Sequence, residues 1–308
     1  MRKIAIVILN WNGKEDTLEC LKSLEKLKTG KKYQLQTFVV DNASVDGTVE
    51  AIKERYENIN VIKNRENLGF AEGNNVGIRK ALRNESDYIV LLNNDTITDA
   101  NLLINLLASL EESPQVGIVS PKIYFAKGFE FHKGRYKKSD LGRVIWYAGG
   151  KIDWDNILGS HRGVDEVDKR QYDQSSQTDF ATGCCMAIRS EVFKKIGLFD
   201  REYFLYLEDM DLCQRAKKAG FEILYSPKGH LWHKVARSSG IGSGLNDYYI
   251  TRNRLLFASK YASVRAKLAL LRESLALLIN GRNWQRRGVL DFYFGNFENG
   301  SFSSKGSY

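Results

Sequence analysis

The stretch Ile4-Ala5-Ile6-Val7-Ile8-Leu9-Asn10-Trp11-Asn12-Gly13 decides how the rest of the chain is read. Six apolar residues, four of them β-branched, run without a polar interruption into Asn and Gly. A strand of that kind is buried on both faces and belongs to a parallel sheet covered by helices. Leucines at 18, 21, 24 and 27 follow at helical spacing, and a second strand, TFVV (37–40), ends in Asp41-Asn42. The alternation continues with a helix near Thr48–Tyr56, a short VI (61–62) and a helix near Ala71–Arg83. Then come YIVLL (88–92), a leucine-rich helix around residues 102–110, and VGIVS (116–120). This rhythm predicts an α/β fold built on an open, mostly parallel sheet with helices on both faces.

Further on, 126–178 is polar and glycine-containing, and reads as irregular loops or short strands that could serve as a lid. A strand at 184–188, helices near Ser190–Ile196 and Glu208–Ala219, and a strand FEILY (221–225) follow. A Ser/Gly-rich hinge near 235–247 then marks off a helical C-terminal extension. The expected domains are 1–240, with halves at 1–97 and 98–240, and 241–308. In the extension Val264, Leu268, Leu271, Leu275 and Leu278 alternate steps of four and three, which makes one apolar stripe. Its expected fate is docking on the body; dimerisation, or lying on an anionic leaflet as an interfacial helix, stays open. The Gly/Ser-rich end, Asn299–Tyr308, is expected to fray.

Charge is uneven along the 308 residues. Residues 1–227 hold 33 basic and 33 acidic side chains, whereas 228–308 hold 13 and 4, so the net +9 sits in the last quarter. That suggests a local contact with phosphate, a membrane surface or nucleic acid. Nucleic acid ranks last, because no helix-turn-helix, RNP or zinc pattern occurs. The four cysteines, at 20, 184, 185 and 213, have no CxxC spacing and read as reduced, mostly buried thiols of a cytoplasmic protein. No secretory signal or spanning helix is expected.

Ligands of open parallel sheets bind beyond the carboxyl ends of the strands. Those ends read Asn10-Trp11-Asn12-Gly13, Asp41-Asn42-Ala43-Ser44, NRENLGFAEGNNVG (64–77) and Asn93-Asn94-Asp95-Thr96. No GxGxxG follows a strand, and neither a P-loop nor a GxSxG elbow occurs. A nucleotide diphosphate would then need a carboxylate-held divalent metal to neutralise it.

VILNWNG (7–13), VVDNASVDGT (39–48), NLGFAEGNNVGI (67–78), LLNNDT (91–96), TGCCMAIR (182–189) and IGLFDREYFLYLEDMDLCQRAKKAG (196–220) together resemble the family 2 glycosyltransferases of the GT-A fold, especially the rhamnosyltransferase-like branch. The resemblance covers about 4–257 and implies roles for particular residues. Asp41 would bind the nucleobase or ribose. Asn10, Asn12, Asn67, Gly69, Asn74, Asn93, Asn94 and Arg252 would line the donor site. Asp95 stands where the family has a DxD-type motif, here reduced to one carboxylate. With His233 it would hold Mn²⁺ or Mg²⁺, His230 being the competing choice. Asp209 would be the single base an inverting transfer needs. Gly183, Glu208 and Trp232 would lie on the acceptor side. Each has a plain alternative: Asp41 as a turn residue, the acids at 208, 209 and 211 as helix N-terminal residues, Asp211–Arg215 as a surface pair, the tryptophans as core.

The resemblance implies an inverting, metal-dependent enzyme. It would move a sugar, rhamnose-like first, from a nucleotide-diphosphate donor to a saccharide or lipid-linked acceptor in cell-surface polysaccharide synthesis. The rival readings are a non-catalytic sugar-nucleotide or glycan-binding module on the same fold, and a nucleotidyltransferase, which would need a GxGTR-like signature that ILNWNG does not supply.

Overall fold

In the computed structural model, which describes residues 1–235 and 243–302, Ile4–Ile8 are each at most 1% exposed. The first strand, β1 (Arg2–Asn10), is therefore covered on both faces, as its unbroken apolar run requires. After α1 (Lys14–Leu24), β2 (Tyr33–Asp41) pairs parallel to β1; after α2 (Thr48–Arg55), β3 (Ile59–Lys63) pairs parallel to β2. Next, α3 (Gly69–Arg83) lies on Val7, Leu9 and Val40. A Cβ on Gly77 would stand 2.3 Å from Val7 Cγ1, so glycine lets the helix come this close. Strand β4 (Tyr88–Asn93) pairs parallel to β1 on its other side. The register sets Asn10 opposite Asp41 and Leu9 opposite Asn93, which brings three polar strand ends into one row.

The second half extends the same sheet. It comprises β5 (Thr96–Thr98), α4 (Leu102–Glu111), β6 (Val116–Phe125), β7 (Ile145–Tyr147), β8 (Gly150–Asp153), β9 (Leu158–His161), β10 (Ser176–Gln177), β11 (Cys185–Arg189), α5 (Ser190–Ile196), α6 (Glu208–Lys218) and β12 (Glu222–His233). Among the described residues the large sheet has ten strands, eight of them in the order β10-β12-β6-β11-β4-β1-β2-β3, with β5 on β12 and β7 on β6. β11 runs antiparallel to both its neighbours, which its short apolar run gave no means of reading. Segment 126–178 contains the short strands foreseen there, and buried Lys122 fastens it through Asp168 at 3.0 Å and Asp173 at 2.6 Å.

Three expectations change. The strand at FEILY runs on to His233, across a register shift between Ser226 and His230 that Pro227, Lys228 and Gly229 fill. Asn299 and Phe302 are not frayed: the Asn299 carbonyl accepts from the Tyr249 hydroxyl at 3.1 Å, and Phe302 is buried against Tyr248 and Tyr249. Residues 303–308 of that end, and most of the hinge with the 240/241 boundary, lie outside the described residues.

The third concerns the extension, α7 (Gly244–Tyr261), α8 (Val264–Asn280) and α9 (Asn283–Tyr293). Helix α8 packs against α7 and α9 of the extension, its buried side chains being Ala266, Leu270 and Ser274. The predicted stripe turns outward: Val264, Leu268, Leu271 and Leu275 are exposed, and only Leu278 packs. Periodicity locates a stripe but does not say which of two apolar sides meets the protein. Here the smaller side chains allow the close contact.

Candidate active site at the strand ends

Asn10 organises the row. Its amide nitrogen donates to Asp41 Oδ1 at 2.9 Å and Ser44 Oγ at 3.0 Å. Its oxygen accepts from Thr17 Oγ1 at 2.8 Å and Asn94 Nδ2 at 3.1 Å. Asn12, at φ 50, accepts from the Val45 amide, so the loops after β1 and β2 are tied together. Asp41, fully buried, also takes the Ser44 amide at 3.1 Å. The turn reading and the binding reading thus share one carboxylate. Asn42 donates to Asn67 Oδ1 and to the Gly69 carbonyl, both at 3.0 Å, which seats the start of α3 on the same row. Gly69, at φ 74, faces the Phe204 ring: a Cβ there would meet Phe204 Cδ2 at 2.5 Å. Its freedom therefore serves protein packing. Asn74 is buried and donates within α3 to the Phe70 carbonyl at 2.9 Å.

Asp95 sits in the turn between β4 and β5, and β5 pairs with the end of β12, placing His233 opposite Thr96. His233 Nε2 stands 3.1 Å from Asp95 Oδ1 without hydrogen-bond alignment, and both Asp95 Oδ1 and His233 Nδ1 are buried with no hydrogen-bond partner. Burial opposes Asp95 ionisation, but His233 and then Lys234 hold its carboxyl below the usual range. A buried, ionised, unsatisfied oxygen beside an imidazole fits a divalent cation. Among the described residues no group of three or more such ligands exists, so remaining positions would fall to a diphosphate or water. His230 points the other way, 3.8 Å from Asp99. Two neighbours complete the pair: Trp146, which the sequence offered with Trp11, Trp154 and Trp232 as a sugar-stacking or core residue, and Lys234, which sequence reasoning passed over. The Trp146 ring packs edge-on to His233 at 4.5 Å, and Lys234 donates its amide to the Asp95 carbonyl while its ammonium meets Asp16 and Glu19.

Asp209 occupies the first turn of α6. Gly183 N donates to its Oδ2 at 2.9 Å and Met210 N to its Oδ1 at 2.8 Å. Cys184, next to Gly183, gives its carbonyl to Asn93 N at 2.9 Å, so the two acidic centres are joined through one short strand start. Gly183 lies between Phe70 and Asp209. Glu208 is buried and its Oε2 has no partner. Burial pushes both carboxyls up, Glu208 far up with Asp209 adding to the effect. The two amides pull Asp209 back, so Asp209 is the one that ionises first and Glu208 keeps its proton.

The segment leading to this pair is strained. Phe204, Tyr206 and Leu207 have φ of 61°, 72° and 69°. It is gripped from two sides. From α3, Phe70 N and Ala71 N donate to the Phe204 carbonyl at 2.6 and 3.1 Å. From α7, Asn253 Nδ2 donates to the carbonyls of Tyr203, Leu205 and Tyr206 at 2.8, 2.7 and 2.9 Å. Arg252 sends its guanidinium to the carbonyls of Glu202, Tyr203 and Glu298 between the rings of Tyr248 and Tyr249.

Arg252 therefore does not face a donor. It is fully buried, and its donors are committed to the carbonyls of Glu202, Tyr203 and Glu298, to Asn253 Oδ1 and to the Tyr248 hydroxyl. Trp232 is likewise displaced from its expected role: it is on the opposite pleat of β12 from His233, with Nε1 donating to the Gly142 carbonyl at 2.9 Å. The Asp211–Arg215 pair is not a surface one. At 2.7 Å it is buried on the Asp side, where the Tyr261 hydroxyl also donates.

The "Glycosyltransferase like family 2" profile matches residues 2–254. An N-acetylglucosaminyl-diphospho-decaprenol L-rhamnosyltransferase of Mycobacterium tuberculosis is 25% identical over 229 residues, covering 70% of this chain and 72% of the relative. Rhamnosyltransferase WbbL of Escherichia coli is 25% identical over 235 residues, covering 74% and 82%. Among solved structures, GalNAc-T7 with UDP, GalNAc and Mn²⁺ superposes with TM-score 0.59 at 15% identity, over 96% of this chain and 57% of that one. A Pyrobaculum calidifontis mannosyltransferase with GDP-Man and Mn²⁺ gives 0.53 at 16%, over 95% and 86%. With its mixed, mostly parallel GT-A sheet and a profile spanning most of its length, the chain belongs to family 2 of the glycosyltransferases and is a glycosyltransferase.

Proposed function

We propose that the protein is an inverting glycosyltransferase that uses a nucleotide-diphosphate donor and a divalent metal. Its sugar is rhamnose-like, by analogy with the two relatives named for rhamnosyl transfer. Its acceptor is a saccharide or lipid-linked glycan of cell-surface polysaccharide synthesis. The observation that carries this reading is the asymmetry of the acid pair. Asp209 is fixed by two amides that favour its ionised form, while its buried neighbour Glu208 has an oxygen without a partner and is pushed further up by burial.

Asp41, Asn10 and Asn12 receive the nucleoside end at the row of strand ends. Asp95 and His233 would hold Mn²⁺ or Mg²⁺, which supplies charge neutralisation for the leaving diphosphate. Asp209 accepts the proton of the acceptor hydroxyl as that oxygen attacks the anomeric carbon from the face opposite the diphosphate. One base suffices, because the leaving group needs no proton. Gly183, whose missing side chain lets Phe70 pack close beside it, gives its amide to Asp209 and so helps to set the base.

Asp209→Asn tests the assignment. Removing a general base is expected to lower transfer by about 100-fold or more, with donor affinity retained. Near-wild-type transfer would show that the base is another group.

A further inference from the structure

The outward stripe of α8 is a surface without an explanation in the chemistry above. Val264, Leu268, Leu271, Leu275 and Ile279 are 75%, 53%, 43%, 54% and 72% exposed. They recur at steps of four, three, four and four, which aligns them along one side for the helix's whole length. The docked side, Ala266, Leu270 and Ser274, lies more than about a third of a turn away. The helix thus carries two apolar sides, only one of which the protein covers. Large aliphatic side chains in a row on the wet side exceed the scattered apolar exposure of ordinary surfaces.

The charges beside the stripe identify what covers it. Arg265 and Arg272 fall along one border and Lys267 along the other. Between 262 and 294 there are six basic side chains and two acidic ones, Glu273 and Asp291. Both acids are occupied: Glu273 by Arg254 at 2.6 Å, and Asp291, buried, by the Tyr248 hydroxyl and Ser301. Among the described residues no carboxylate pairs with Arg265, Lys267, Arg272 or Arg287. A second copy seated two-fold on this stripe would bring cations against cations. An anionic bilayer surface complements both borders at once, with the aliphatic row entering the boundary between headgroups and acyl chains. Among the described residues no helix is long and apolar enough to cross a membrane.

We propose that α8 is an interfacial anchor: it packs on α7 and α9 with Ala266, Leu270 and Ser274 buried, and seats the enzyme on an anionic lipid surface through Val264, Leu268, Leu271, Leu275 and Ile279. Binding needs no turnover, so this inference stands or falls separately from the assignment of donor, base and metal.

Sedimentation of the full chain with vesicles tests it. Wild type is expected to pellet with phosphatidylglycerol-containing vesicles far more than with pure phosphatidylcholine vesicles, and to be released as salt is raised. The triple variant Leu268→Gln, Leu271→Gln, Leu275→Gln is expected to remain in the supernatant while keeping its melting transition and its donor hydrolysis. Arg265→Gln, Lys267→Gln, Arg272→Gln, all at solvent-exposed positions, is expected to weaken binding by roughly fivefold per cation removed. Wild type that stays in the supernatant with anionic vesicles, or that pellets equally with both kinds, overturns the proposal. So does a wild-type dimer in solution that the leucine variant converts to monomer, which would make the stripe a seam between copies.

Discussion

Glu208 and Asp209 adjoin in sequence and differ in one respect that sets their chemistry: Asp209 has two amide donors, whereas Glu208 Oε2 has none. A carboxyl raised by burial lends stability below its unfolded pKa and loses it as pH climbs toward the folded value, at about 1.4 kcal/mol per pH unit. Glu208→Gln removes that loss. Its melting temperature is expected to exceed wild type above about pH 5, by a margin that widens through neutrality; a constant margin would mean Glu208 ionises freely. Asp209 must be ionised to act, so transfer should fall off on the acid side above the ordinary aspartate range. Asp95→Ala and His233→Ala are expected to abolish the tightening of nucleotide-diphosphate binding by Mn²⁺, read by titration calorimetry with and without chelator. At this scale the sequence named residues that lie close to one another: Asn10 joins Asp41 to Asn94, His233 stands beside Asp95, and Gly183, which donates to Asp209, adjoins the Cys184 carbonyl that holds Asn93. Arg252 and Trp232 were misplaced because a residue type suited to phosphate or sugar says nothing about which way a buried helix or a pleated strand turns it.

Between elements, the decisive object is the strained segment 203–207. Three left-handed non-glycine residues cost about 1 kcal/mol or more each, and they persist because α3 and α7 hold the intervening carbonyls. Asn253→Ala would remove its donations to three of those carbonyls, leaving the Tyr203 carbonyl held by Arg252. It is expected to destabilise the protein by about 2 kcal/mol and to lower kcat more than it raises donor KM, since the proposed base moves while the proposed nucleotide row does not. Gly69→Ala would push a methyl into Phe204 and should act on the same segment from the α3 side. The β-α alternation of the first half was legible because each buried strand is a continuous apolar run. The continuation of β12 to His233 was not, because Pro227, Lys228 and Gly229 read as a terminus yet fill a register shift inside a strand. The outward turn of the α8 stripe was equally hidden, both sides of that helix being apolar enough to pack.

For the whole molecule, the extension braces the segment that leads to the proposed base as well as being an appendage. α9 backs α7 closely: a Cβ on Gly288 would stand 2.7 Å from the Tyr248 carbonyl, and Trp284 and Phe302 pack around Tyr248. Deleting residues 264–308 is therefore expected to abolish transfer together with vesicle binding, whereas the leucine variant should lose vesicle binding alone. The net +9, uneven in the sequence, is spent in two ways. Arg252 is buried on backbone carbonyls, Arg254 and Arg282 pair with Glu273 and Asp247, and Arg265, Lys267 and Arg272 are left facing out. The clamp on segment 203–207 also imposes a timetable. The carbonyls it grips are made some fifty residues before Arg252 and Asn253, and a growing chain leaves the ribosome in that order. On the proposed function, the strand ends that would receive the donor are complete in the chain before Arg252 and Asn253 can clamp the segment that sets Asp209.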